Sequence, residues 1–241
     1  SEALEHAKKL IAAGADIIDV GGESTRPGAE EVPPEVEIAR VLPVVRELAS
    51  HGVAVSVDTR HASVAEACVD AGACIINDVS GFRSADMREV AARGDAGLVV
   101  MHMRGTPKTM QEAPAYDDVV HEVEQEMMRM VTRLTTEGVE PGRICLDVGI
   151  GFGKNVMHNL ALVQATAHFA ELGLPLMAAV SRKSFIGAMS AESIPAMRDR
   201  ASALCAAFMV DQGACIVRVH DVATTREMLR DSHRAVIGLG S

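Results

Sequence analysis

The chain has 241 residues, 48% hydrophobic and 23% charged, enough apolar side chain to bury a large core and too little charge for a disordered segment. A formal net charge of −10, one Tyr and no Trp exclude a basic, aromatic-studded face, so no nucleic-acid partner is expected. No apolar run approaches the ~20 residues of a membrane span and no basic region precedes an apolar one at the start, so neither membrane nor secretion is expected. The five cysteines (Cys68, Cys74, Cys145, Cys205, Cys215) are odd in number, form no C-x-x-C and sit partly in apolar runs. Buried free thiols of a cytoplasmic protein explain that pattern better than a disulfide framework or a zinc site.

In chain order, residues 1–13 read as an amphipathic helix with Leu4, Ala7, Leu10 and Ile11 on one face. A β-branched strand over 15–22 follows, then a helix over 35–50 and a strand over 54–59. The same beat repeats: helix near 62–71, strand 74–79, helix near 85–93, strand 97–103, a polar loop and a helix near 116–137. After it come strand 144–150, helix near 158–172, the apolar run from Leu176 that ends in Ser181-Arg182-Lys183-Ser184, helix near 197–212, strand 214–220 and helix near 222–232.

Strands alternating with helices imply βαβ units and a parallel sheet covered on both faces. An open doubly wound sheet concentrates ligands at one switch point, whereas here polar residues stand at the C-terminal end of every strand. That distribution predicts an α/β fold of the (β/α)8 TIM-barrel type, residues 1–241 forming one domain. Seven strands are evident, and the chain opens on a helix, so the first strand and its loop are expected to lie upstream of Ser1.

Each strand-end residue has an ordinary explanation. Asp58 and Asp147 suit helix N-caps, Asn77 and Asp78 suit turns, and His102 and His220 suit core histidines. Together they exceed what a barrel rim needs for folding. Asp58, Asn77 and Asp147 offer acceptors for the N–H-rich edge of a heterocycle such as an aminopyrimidinone. Lys183 can donate to a ring atom, Arg218 can stack and reach a phosphate, and Ser181 with His220 would complete an anion pocket. The glycines of Gly22-Glu-Ser-Thr-Arg-Pro-Gly28 suggest a mobile loop carrying Thr25 and Arg26 toward a reacting centre. Gly149-Ile-Gly-Phe-Gly-Lys154 lacks the rest of a dinucleotide fingerprint, and Phe152 within it suggests an aromatic wall. No His or Cys cluster has metal-ligand spacing, though Mg²⁺ held mostly by substrate phosphates would leave little trace.

Gly21-Gly-Glu-Ser-Thr-Arg-Pro-Gly28, Ser56-Val-Asp-Thr59, Ile76-Asn-Asp-Val79, Met101-His-Met103, Pro107-Lys-Thr-Met-Gln111, Asp147 to Lys154, Ser181-Arg-Lys-Ser-Phe-Ile-Gly187 and Arg218-Val-His-Asp-Val222 jointly resemble the dihydropteroate synthase family. The resemblance spans nearly the whole chain. It implies condensation of p-aminobenzoate with 6-hydroxymethyl-7,8-dihydropterin pyrophosphate, giving 7,8-dihydropteroate and pyrophosphate, in a cytoplasmic, Mg²⁺-using homodimer of the folate pathway. It further implies that Asp58, Asn77, Asp147 and Lys183 hold the pterin beside Met101, and that Arg218 and His220 take the pyrophosphate. Thr25, Arg26 and Pro27 would close over the site, and Phe152 and Ser184 would hold p-aminobenzoate. Two departures stand out: the family's Asn-x-Thr-Pro-Asp-Ser-Phe segment, whose Asn ligates Mg²⁺, has no counterpart here, and Val148 replaces a usual Pro. Two rival chemistries are a pterin-dependent methyltransferase and a lyase or aldolase using Lys183 as a Schiff base. Arg182 has no role beside substrate and is expected to be structural.

Overall fold

The structure, a computed structural model, describes residues 2–24, 28–106, 108–110 and 114–238. Its strands are β1 (Ile17–Gly21), β2 (Ala54–Asp58), β3 (Ile75–Asp78), β4 (Gly97–Met101), β5 (Ile144–Asp147), β6 (Met177–Ala178) and β7 (Ile216–Val217). Helices α1 (Glu2–Ala12), α2 (Pro34–Ser50), α3 (Ala62–Asp70), α4 (Ala85–Arg93) and α5 (Val119–Thr136) alternate with the first five strands. Helices α6 (Val156–Gln164), α7 (Thr166–Ala170), α8 (Ser184–Ser190), α9 (Asp199–Asp211) and α10 (Val222–Gly238) complete the order.

Strands β1 to β5 pair in parallel in chain order, and β6 pairs in parallel with β7. A bridge between Leu146 and Leu176, with the Leu146 N–H donating to the Pro175 carbonyl at 2.7 Å, joins the two groups. Strand order that never reverses has no switch point, which separates a singly wound barrel wall from a doubly wound sheet. The wall curves enough for Arg218, just past β7, to reach Asp19 in β1 at 2.6 Å.

Strand periodicity then sorts the side chains. Ile18, Val55, Val57, Ile76, Leu98, Val100, Ile144, Leu146, Ala178 and Val180 join the large core between strands and helices. Their neighbours Val99, Cys145, Met177 and Ala179, with Ile75 and Ile216 against them, form a separate cluster inside the barrel. Each fully buried Val, Leu or Ile contributes about 1.5–3 kcal/mol. The helix-facing layer therefore supplies most of the stability, which frees the inner face to hold polar residues at its C-terminal end.

Several elements depart from the sequence reading. The strands are shorter than expected, ending at Asp58, Asp78, Met101 and Asp147, because the chain turns away where polar side chains take over. The single helix expected near 158–172 is broken at Ala165, whose ψ of 12° leaves helical geometry, and Thr166 Oγ1 donates back to the Val163 carbonyl. The segment around residues 195–198 is a short 3₁₀ turn before α9. All five cysteines are free, as expected, but Cys74 and Cys215 are exposed at strand starts rather than buried. Val148 is buried in the main core, so the site of the missing Pro is a packing position.

Candidate active site

The strand register builds the site. Gly21 pairs with Asp58 and Asp58 with Asn77, a row that continues to Val99, and Met101 pairs with Asp147 two residues further along β4 and β5, so the rim is built of two successive rows. Asn77, Met101 and Asp147 are buried. Arg218 closes the ring from the other side: its Nε donates to Asp19 Oδ2 at 2.6 Å and a terminal nitrogen donates to Asp58 Oδ2 at 2.8 Å. Asn77 Nδ2 lies 3.4 Å from the same Asp19 oxygen. The other oxygens, Asp19 Oδ1 and Asp58 Oδ1, are buried without a hydrogen-bond partner. A buried acceptor left unmade costs about 1–3 kcal/mol, so these two atoms call for N–H donors from a ligand.

The electrostatics follow from crowding. Burial first, then the neighbouring Asp19 charge, push the Asp58 carboxyl up to about 7 despite Arg218. Burial works against the Arg218 charge, but Asp19 and Asp58 hold its pKa above the ordinary guanidinium value. Neither Asp58 nor Asp147 is a helix cap: α3 has His61 at its N-cap, and α6 has Asn155 there, in a capping box with His158. Asp147 instead accepts from the Gly149 N–H at 2.8 Å and so starts the following turn.

Lys183 leans over that turn. Its Nζ donates to the Ile150 carbonyl and stands 4.7 Å above the centre of the Phe152 ring. Burial first, and Arg218 among its neighbours, draw its pKa down to about 8, while Asp147 and Asp58 resist. Phe152 packs on the small cluster of Val79, Met101, Met103 and Met110. Gly149, at φ +67°, comes so close to β4 that a Cβ there would collide with the His102 carbonyl oxygen. Only glycine lets the turn press against the neighbouring strand end.

Ser181 and His220 meet each other, Oγ to Nδ1 at 2.9 Å, with the His220 N–H donating to the same hydroxyl at 3.1 Å. Ser184 is exposed at the first position of α8. Arg182, at φ +59°, turns the opposite way from Lys183 and grips Asp199 through two bonds of 2.7 and 2.8 Å. That is the structural role expected of it. Thr25, Arg26 and Pro27 lie outside the described residues, as do Pro107 and Gln111.

Three features escaped the sequence reading. Asp19 is one: an acid inside Ile17-Ile-Asp-Val20 with its side chain on the barrel's inner face, a signal visible in the strand's alternation. The second is buried Lys154, which contacts His102. The third is the bonding of Glu23, a residue the loop motif contains but whose partners it does not reveal: its two oxygens accept from Arg60 at 2.9 and 3.1 Å and from the Val32 N–H at 2.9 Å. Glu23, Glu37 and His61 are the one group of His, Cys, Asp or Glu among the described residues with ligand atoms within 4.8 Å of one another. Arg60 already neutralises Glu23, and an imidazole is a poor ligand for a hard ion. The group fits an anchor for the loop after β1 and does not fit Mg²⁺.

Comparison with known proteins agrees with this geometry. The family model described as "Pterin binding enzyme" matches residues 1–220. The chain is 45% identical over 230 residues to dihydropteroate synthase of Escherichia coli (strain K12), covering 95% of this chain and 81% of that protein. It superposes with a TM-score of 0.94, at 40% identity, on the Yersinia pestis dihydropteroate synthase with a sulfonamide drug, covering 97% of this chain and 85% of that one. The Xanthomonas albilineans dihydropteroate synthase with 4-aminobenzoic acid gives a TM-score of 0.92 at 38% identity, covering 98% and 84%.

Proposed function

The chain belongs to the pterin-binding enzymes and, within them, to the dihydropteroate synthase family, and from that footing we propose which of its residues carry the reaction. The activity joins p-aminobenzoate to 6-hydroxymethyl-7,8-dihydropterin pyrophosphate, and family membership displaces the methyltransferase and Schiff-base alternatives. The observation that carries the site assignment is the pair of buried, unpartnered carboxylate oxygens on Asp19 and Asp58. An acceptor ring of Asp19, Asp58, Asn77 and Asp147 suits the N–H edge of a pterin, and buried Met101 offers it an apolar neighbour.

In this reading the C–O bond to the pyrophosphate breaks first, its electron pair leaving with the phosphate oxygen. The pterin ring spreads the methylene cation, the neutral amine of p-aminobenzoate forms the new C–N bond, and the nitrogen then loses a proton. Charge grows on the leaving oxygen during this step. Arg218 and Lys183 supply fixed positive potential for it, with Ser181 and His220 as further donors. Phe152, beneath the Lys183 ammonium, and Ser184 mark the p-aminobenzoate side. Thr25, Arg26 and Pro27 are assigned the closing loop, supported by Glu23, which ties Val32 and Arg60 together at its base.

Mg²⁺ is expected only as a partner of the substrate's phosphates, since Arg218 already engages the rim carboxylates Asp19 and Asp58. We read residues 1–241 as one domain, because Arg226 of α10 donates to the Gly14 carbonyl after α1 and ties the two ends together. Among the described residues no helix is long and apolar enough to cross a membrane. Five free cysteines suit the cytoplasm. The homodimer is assigned to the apolar groove of about 590 Å³ lined by Ile186, Met189, Leu204 and Phe208, where large apolar side chains stand exposed. The assignment is tested by supplying both substrates and following pyrophosphate release. Release that requires p-aminobenzoate supports it, and release independent of p-aminobenzoate overturns it.

A further inference from the structure

The turn from Gly149 to Gly153 carries the Ile150 carbonyl that receives Lys183 and the Phe152 ring beneath it. Its three glycines all have positive φ, at 67°, 83° and 63°, and bring no side chain to hold that shape. Lys154 holds it from below. The side chain is buried, and Nζ lies 2.9 Å from the Gly149 carbonyl, 2.9 Å from the Phe152 carbonyl and 2.9 Å from His102 Nδ1. An ammonium has three N–H donors, and these three acceptors at 2.9 Å engage them, with the His102 carbonyl a longer fourth contact at 3.4 Å. Two of the bonds span the turn from its first residue to its fourth.

The anchor continues outward. A His102 that accepts at Nδ1 carries its proton on Nε2, which lies 2.9 Å from Glu126 Oε2. Arg104 in turn holds Glu126 Oε1 at 2.6 and 2.9 Å. The line runs from the helix surface of α5, through β4, to the floor of the turn. We infer that Lys154, fixed by His102 and Glu126, is a positioning residue for p-aminobenzoate: it holds the turn that presents the Phe152 ring beneath Lys183, the wall against which the p-aminobenzoate ring is placed.

The inference rests on the reading of Phe152 as the p-aminobenzoate wall. Burial opposes the Lys154 charge and draws its pKa down to about 7, so the three acceptors must stay in place for the ammonium to persist. A lysine that merely filled the core would affect stability without distinguishing one substrate from the other.

Lys154→Met in the full chain keeps the stem and removes the donors. Two readouts apply: backbone hydrogen exchange over residues 148–154, and steady-state kinetics with each substrate varied. Exchange there is expected to quicken about tenfold, and the KM for p-aminobenzoate to rise about tenfold with kcat and the pterin KM within about threefold. His102→Gln, which keeps an acceptor and a donor, is expected to restore most of the p-aminobenzoate KM lost in His102→Ala. Unchanged exchange, an unchanged p-aminobenzoate KM or an equal rise in both KM values overturns the inference. Should Lys154→Met fail to fold, Glu126→Gln decides by a rise of about threefold in the p-aminobenzoate KM alone, and its absence overturns the inference. If the unaltered chain forms no dihydropteroate, the functional reading has failed, and the exchange measurement still decides whether Lys154 holds the turn.

Discussion

Replacing Asp58 by Asn removes one charge from the rim and almost nothing from its shape. Asp58 and Asp19 share one guanidinium, at 2.8 and 2.6 Å, and burial with the Asp19 charge pushes the Asp58 carboxyl up to about 7. The unfolded chain releases that proton near 3.8, so the native state holds a proton the unfolded state has lost throughout the interval between. Stability is therefore greatest below the lower value and falls as pH rises through 7. Moving a carboxyl over that interval is worth about 4 kcal/mol, and the charge-assisted bond to Arg218 weakened by the substitution offsets part of it, leaving about 2 kcal/mol to recover. At about pH 8, Asp58→Asn should thus be more stable than the unaltered chain by about 2 kcal/mol in urea unfolding, the gain fading by about pH 4. The same change leaves one acceptor oxygen where the carboxylate had two; with Arg218 holding that oxygen, an NH2 faces the N–H edge of the pterin, so product formation should fall about a hundredfold or more. An Asp58→Asn chain that is less stable at about pH 8, or that keeps near-normal turnover, would refute the picture of a strained carboxylate retained for substrate.

Lys183→Ala and Arg218→Ala should each lower turnover by about 10²–10³, because each removes a charge-assisted contact that strengthens as pyrophosphate departs. Near-normal pyrophosphate release in both would remove them from the mechanism. His102 is held neutral, its pKa drawn down to about 4 by burial, while Glu126 and Lys154 act on it in opposite senses. Its contribution is present above the ordinary value of 6.5 and is lost as pH falls toward 4, amounting to about 3 kcal/mol. His102→Gln should lose correspondingly less stability between about pH 6.5 and pH 4.5 in parallel urea titrations, and equal losses would contradict the assignment. Phe208→Glu should halve the sedimenting mass without unfolding the chain, whereas an unchanged mass would exclude this face as the dimer contact.

The alternation of strand and helix was written in hydrophobic periodicity, and so was the rim of polar residues at the strand ends, because a parallel barrel leaves those ends to ligands. The placement of Asp58, Asn77, Asp147, Lys183 and Arg218 at that rim was legible for that reason. Asp19 was not, since an acid within an apolar strand reveals its purpose only when register and curvature bring Arg218, 199 residues away in sequence, to within 2.6 Å. His102 and Lys154 are 52 residues apart, and nothing local links a strand-end histidine to a lysine after a glycine turn. Arg182 and Lys183 make the point most simply. In sequence they are two neighbouring cations at one strand end, equal in charge and reach. The backbone separates them: Arg182 at φ +59° turns to Asp199, and Lys183 at φ −66° turns over Phe152. Side-chain chemistry, which the sequence states outright, determined what the rim could bind. Direction, which depends on backbone geometry and long-range packing, decided which residue faces the site.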